Sequence, residues 1–215
     1  MSPGFAAAVV AGAYLLGSVS FSVLIVRLLQ GLDVRTVGSG NAGATNVLRA
    51  AGRKAGAIVL ALDVAKGVTA VAVPRALDAP PSVVGGAAVA VVIGHVFPVF
   101  FGFRGGKGVA TSAGALGTLA PAAMALGLVV FVVMVTWKRY VSLGSIVTAA
   151  LMPLLVVLCQ RLGWVKGGDT WLVVPTAAIA LIVIAGHARN LRRLRQGTEP
   201  RLGERRGVSA EEAEG

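Results

Sequence analysis

The chain has 215 residues; 56% are hydrophobic and only 13% charged, with a mean hydropathy of +0.82. A soluble domain carries about a quarter charged residues, so the composition excludes one and predicts an all-α, polytopic membrane protein. The formal net charge is +11, but seven arginines crowd into residues 189–206, directly after the last apolar run. That placement reads as membrane topology and attraction to anionic lipid, not as nucleic-acid binding.

Apolar runs fall at roughly 4–26, 55–74, 82–101, 109–136, 141–160 and 171–187, several of them near the ~20 residues that cross a hydrocarbon core. Run 4–26 lacks the basic flank of a cleaved signal peptide, since Arg27 is the first charge. It is expected to stay as a span with its N-terminus outside. Residues 27–54 hold Arg27, Arg35, Arg49, Arg53 and Lys54 and are expected on the cytoplasmic side. The nearly neutral "RALDAPP" loop then falls outside, and Arg104 and Lys107 fall inside. Run 109–136 as one helix would put Lys138, Arg139 and the basic tail outside, against the positive-inside rule. A turn near Pro121 restores it, with two helices of about 20 Å each at 1.5 Å per residue. They would be short spans or a re-entrant hairpin. The prediction is about seven helical segments in a single domain over 1–202, N-terminus outside and C-terminus cytoplasmic, with a variable tail at 203–215. Cys159, the sole cysteine, lies inside an apolar run and excludes an intrachain disulfide.

Four polar stretches interrupt the apolar runs. In "GSGNAGATNVLR" (38–49), Gly38, Gly40 and Gly43 permit tight turns, while Ser39, Asn41, Thr45 and Asn46 suit helix capping or anion binding. Arg49 supplies a planar fork for phosphate or carboxylate. The same residues also fit a capped loop with a topogenic arginine. "FGFRGGKGVATSAG" (101–114) is not a Walker A loop, because Phe101 occupies the first glycine position and Gly108 follows Lys107. Gly105, Gly106 and Gly108 nevertheless suit an anion-binding concavity closed by Lys107 and by a helix starting near Val109. In "KRYVSLGSIVTA" (138–149), Ser142 and Ser145 share a helix face, which fits a site or small-residue helix packing. In "HARNLRRLRQGTEP" (187–200), His187 and Asn190 share a face, Arg192, Arg193 and Arg195 form a positive rim, and Glu199 is placed to pair with the rim or the site. Asp63 and Lys66 are expected to pair at i,i+3 inside the second run. His95 is placed either to orient the glycine loop or to bond the backbone.

The order and spacing of "GSGNAGATNVLR", "GHVFPVFFGFRGGKGVAT", "VSLGSI" and "HARNLRRLRQGTE" resemble the bacterial acyl-phosphate:glycerol-3-phosphate acyltransferases, the PlsY family, over about residues 10–202. Ala42 stands where that family usually has proline. The resemblance implies a seven-helix enzyme of the bacterial inner membrane, with its site near the cytoplasmic face. It implies transfer of a fatty acyl group from acyl phosphate to the 1-hydroxyl of glycerol 3-phosphate, giving lysophosphatidic acid and phosphate, the first step of phospholipid synthesis. Ser39, Arg49, Lys107, Ser142 and His187 are then the catalytic candidates. Asn41, Gly43, Asn46, Gly105, Gly106, Gly108, Thr111, Ser145 and Asn190 are the substrate-binding candidates. No cofactor, metal or nucleic acid is expected; membrane lipid is. The residues agree with an already activated donor. The HxxxxD pattern of other glycerolipid acyltransferases is absent, since Phe100 and Arg192 stand five residues after His95 and His187, and there is no GxSxG elbow. A transporter of a phosphorylated anion is the alternative.

Overall fold

The structure, a computed structural model, describes residues 2–165 and 170–203. These residues form an all-helical protein of nine α-helices and two short 3₁₀ turns. The helices are α1 (Pro3–Ser18), α2 (Phe21–Gln30), α3 (Ala44–Ala76), α4 (Pro81–Val96), α5 (Val109–Leu119), α6 (Pro121–Lys138), α7 (Val141–Arg161), α8 (Thr170–Gly186) and α9 (Ala188–Arg195). Proline opens α4 and α6 at the first helical turn, where a missing N–H costs nothing. The turn expected at Pro121 is there: α5 ends at Leu119 and α6 begins two residues on.

Among the described residues, five stretches are long and apolar enough to cross a membrane: Pro3–Gln30, Ala44–Ala76, Pro81–Phe101, Pro121–Lys138 and Val141–Arg161. Trp171–Gly186 with Ala188–Arg195 adds a sixth, bent by 57° at His187. The eleven residues of α5 are short for a span. Two boundaries differ from expectation. The first run breaks at Val19 and Ser20 into α1 and α2. The second begins at Ala44, not near 55, and absorbs a kink at Gly52 (φ 87°, ψ 178°), a backbone shape only glycine holds without strain. Gly203 apart, the expected tail at 203–215 lies outside the described residues.

Packing follows small residues. Helix α1 lies on α4, α3 on α5, α6 on α7, and α8 on both α4 and α7. In the first two pairs the backbones touch. A Cβ on Gly17 would overlap the Val91 carbonyl and one on Gly94 the Tyr14 carbonyl. Likewise Gly67 faces the Thr111 carbonyl and Gly114 the Val64 carbonyl. Lipid offers no hydrophobic drive between helices, so this close van der Waals approach supplies the contact energy. The main core joins these helices to α7 and α8 through Val91, Val92, Leu116, Leu119, Met152, Val156, Leu172 and Ile179.

Candidate active site

The polar centre assembles at the bend between α8 and α9. His187, 2% exposed, is the N-cap of α9. Its Nδ1 lies 2.8 Å from the Val183 carbonyl. A carbonyl only accepts, so Nδ1 carries the hydrogen and Nε2 is left as an acceptor. One turn on, the buried Asn190 donates from Nδ2 to Glu199 Oε1 at 2.6 Å and accepts from Lys107 Nζ at Oδ1. The carboxylate settles which way this amide points, since it accepts only. Ser142 Oγ, from the start of α7, donates to the same Glu199 oxygen at 2.6 Å, and Arg193 Nε donates to Oε2 at 2.7 Å.

Glu199 reaches this position because the chain turns at Gly197 (φ 69°) and runs back over the α6–α7 junction. Leu202 N donates to the Arg139 carbonyl at 2.6 Å, Arg139 Nη2 donates to the Leu202 carbonyl at 2.8 Å, and Arg201 Nε donates to the Tyr140 hydroxyl at 3.2 Å. Burial opposes the Glu199 charge, but the hydrogen bonds from Ser142, Arg193 and Asn190 prevail and hold its carboxyl below the usual range. Burial pushes the Lys107 ammonium down to about 8; Glu199 resists that, while Arg193 and Arg49 add to it.

The glycine loop seats Lys107 by two backbone anchors. Gly105 N donates to the Val96 carbonyl and Gly106 N to the His95 carbonyl, both at 3.1 Å. These two amides are therefore spent on the fold and do not present N–H groups to a ligand, a correction to the sequence reading. A Cβ at Gly106 would overlap His95 Nε2 and approach the Ala42 carbonyl to 2.7 Å, so glycine is required for the close approach. Gly108 turns the chain into α5 with φ 81° and no side-chain cap. The first-turn amides of α5 lack partners within the helix. The end of α8 meets the loop at Gly186, where a Cβ would stand 3.4 Å from Lys107 Cα, in ordinary contact. Thr111 is fully buried, and its Oγ1 has no hydrogen-bond partner among the described residues.

The 38–49 stretch packs beside this loop through Ala42. Asn46, 1% exposed, holds the stretch from inside: Oδ1 accepts from Ser39 N at 2.9 Å, and Nδ2 donates to the carbonyls of Val34 (2.9 Å) and Val37 (3.0 Å). Its polar atoms are committed to scaffolding, so Asn46 is a positioning residue and not the substrate ligand expected from the sequence. The N-cap of α3 is Gly43, with no side-chain cap from its neighbours. Ser39, Thr45 and Arg49 are exposed, and Asn41 is half-buried beside Gly43. Ser145 also departs from expectation, since its Oγ donates to its own helix at Val141 O (2.9 Å). Glu199 pairs with both the rim and the site, as the sequence placed it to do, through Arg193, Ser142 and Asn190. One contribution had no clear signature in the sequence. Arg35 is gripped by Asp33 and donates from Nη1 to the carbonyls of Phe101 (2.6 Å) and Arg104 (3.3 Å), which clamps the two loops together. The hydrogen bond from Arg35 holds the Asp33 carboxyl below its ordinary range.

The described residues define a multi-helix membrane protein with a half-buried cation, a basic rim and a polar cluster gathered where α8 bends into α9. Residues 7–197 match the glycerol-3-phosphate acyltransferase family. A glycerol-3-phosphate acyltransferase of Anaeromyxobacter dehalogenans is 46% identical over 209 residues, covering 94% of this chain and 100% of the relative. One from Halalkalibacterium halodurans is 43% identical, covering 92% and 95%. The crystal structure of PlsY (YgiH), an integral membrane glycerol 3-phosphate acyltransferase, in its glycerol 3-phosphate form, superposes with a TM-score of 0.83 at 38% identity, covering 92% of this chain and 96% of that one. Its lysophosphatidic acid form gives 0.81 at 37% identity. The chain belongs to the PlsY family of glycerol-3-phosphate acyltransferases, and the transporter alternative falls away.

Proposed function

We propose that this protein transfers a fatty acyl group from acyl phosphate to the sn-1 hydroxyl of glycerol 3-phosphate, releasing phosphate and 1-acylglycerol 3-phosphate. One observation carries the reading: the Lys107 ammonium is held by Asn190, backed by the Glu199 carboxylate and flanked by Arg49 and Arg193. Such a cluster stabilises phosphoryl charge and offers little base chemistry. Glu199 already accepts three hydrogen bonds and is a weak base, so Ser142, whose one hydroxyl hydrogen goes to Glu199, faces substrate as an acceptor and not as an activated nucleophile. The donor must then arrive activated, and acyl phosphate is, because phosphate leaves readily. Catalysis is by positioning and electrostatic stabilisation. Lys107, Arg49 and the α5 first turn hold phosphate and the developing oxyanion. Ser39, Ser142, His187 Nε2 and Asn190 orient glycerol 3-phosphate, whose own phosphate takes the hydroxyl proton. The acyl chain enters between helices from the bilayer. The basic loops and tail support a C-terminus and site at the cytoplasmic face of the bacterial inner membrane and an N-terminus outside.

The test is purified protein with palmitoyl phosphate and labelled glycerol 3-phosphate, run beside palmitoyl-CoA. Lysophosphatidate forms with acyl phosphate only. Product from the thioester alone overturns the donor assignment, and a labelled acyl group trapped on Ser142 overturns direct transfer. Lys107→Ala abolishes turnover while the protein stays folded; full activity in that variant removes Lys107 from the site.

A further inference from the structure

Behind the site lies a buried charge array that the proposed reaction does not use. Asp63 and Lys66 of α3 pair at 2.9 Å, and both side chains are almost fully buried. Lys66 Nζ also donates to the carbonyls of Gly17 (3.1 Å) and Val19 (3.0 Å), the acceptors left open where α1 breaks before α2. The contact with Asp63 is an ion pair, and the Asp63 Oδ1 atom is buried with no hydrogen-bond partner among the described residues. The same Asp63 oxygen lies 3.5 Å from Nδ1 of His95, at the end of α4. The ring's other nitrogen stands against Gly106, and the His95 carbonyl accepts the Gly106 N–H. One residue thus supports the loop twice, once from its backbone and once from its ring. The broken end of α1 is tied to the same place, because Tyr14 donates its hydroxyl to the Phe97 carbonyl at 3.0 Å. Charges at this depth are costly and persist where they serve a site.

We infer that Asp63, Lys66 and His95 form a positioning array that sets the height and orientation of the Gly105–Gly108 loop, and so the placement of the Lys107 ammonium. Asp63 orients the His95 ring, the ring buttresses Gly106, and Lys66 neutralises Asp63 while fixing the break of α1. None of the three touches substrate.

This inference rests on the acyltransferase reading for its kinetic arm only. The second arm is the rate at which an amine-reactive acetylating reagent modifies Lys107 in the full-length protein, read by mass spectrometry. In His95→Ala the Michaelis constant for glycerol 3-phosphate rises at least tenfold with a smaller change in kcat, and Lys107 modification speeds up several-fold. His95→Gln, whose amide can turn an N–H toward Asp63, recovers most of both. If His95→Ala does not fold, Asp63→Asn, which preserves side-chain size, is judged by the same readouts. Folded variants with wild-type KM and wild-type Lys107 modification overturn the array, even if their melting temperatures fall. If the parent protein transfers no acyl group but the modification rates shift as stated, the array stands and the reaction assignment fails.

Discussion

With Lys107 held at about 8, activity should have an alkaline limit well below that of an ordinary lysine. At pH 7 about 90% of the side chain is cationic and at pH 9 about 10%, from the definition of a pKa. Glycerol 3-phosphate does not titrate in this interval, because the second phosphate ionisation lies near ~6. If the cation is what binds phosphate, kcat/KM for glycerol 3-phosphate falls about tenfold per pH unit above roughly 8, at 1.36 kcal/mol per unit. Stability runs the other way. The folded-state pKa lies below the ordinary value, so the unfolded chain binds more protons between about 8 and the ordinary lysine value of 10.5. Folding therefore gains from this group as pH rises through that window. Loss of activity accompanied by an undiminished melting temperature is the signature. The assay is initial rate with palmitoyl phosphate from pH 6.5 to 9.5 at fixed ionic strength. Lys107→Arg, whose guanidinium does not titrate there, loses the alkaline limb even if its overall rate is lower. A flat profile to pH 9.5, or the same limb in Lys107→Arg, would refute the reasoning.

Glu199→Gln removes a charge that supports the Lys107 cation, so the alkaline limb moves to lower pH; it also weakens charge-assisted hydrogen bonds worth about 1.5–3 kcal/mol each, visible as a lower melting temperature. Asn46→Ala deletes three hydrogen bonds, at about 0.5–1.5 kcal/mol apiece. It raises KM for glycerol 3-phosphate by loosening the 38–43 loop; unchanged KM in a folded variant removes Asn46 as its scaffold. Gly67→Ala forces a methyl against the α5 backbone at Thr111 and costs about 1–3 kcal/mol by overpacking; an unaltered thermal unfolding curve contradicts the close helix contact.

The sequence exposes what depends on composition and local order. Apolar runs locate the helices, Pro121 marks the turn, and the glycine–lysine stretch declares an anion loop next to a helix start. It is silent where an atom's use depends on a distant partner. Gly105 and Gly106 look like anion-binding amides until the carbonyls of His95 and Val96 take them. Asn46 looks like a ligand until three backbone groups occupy its amide. Glu199 sits in a polar tail, and its bond to Ser142 spans 57 positions, a separation no periodicity encodes. The early start of α3 was hidden because Arg49, Arg53 and Lys54 read as loop, although a helix that leaves the apolar layer carries such residues without difficulty.

The reciprocal glycine contacts of α1 with α4 and of α3 with α5 bear on how this protein tolerates change. At Gly17, Gly94, Gly67 and Gly114 the fit depends on atoms that are absent. Every replacement adds volume against a carbonyl on a neighbouring helix, and no substitution subtracts any. A side-chain interface drifts through compensating pairs, one residue growing as its partner shrinks, but a backbone-on-backbone contact has nothing on the far side to trim. These four positions are therefore closed to gradual replacement, while the exposed apolar residues of α6, Leu128, Val129, Val132 and Val133, are open to it.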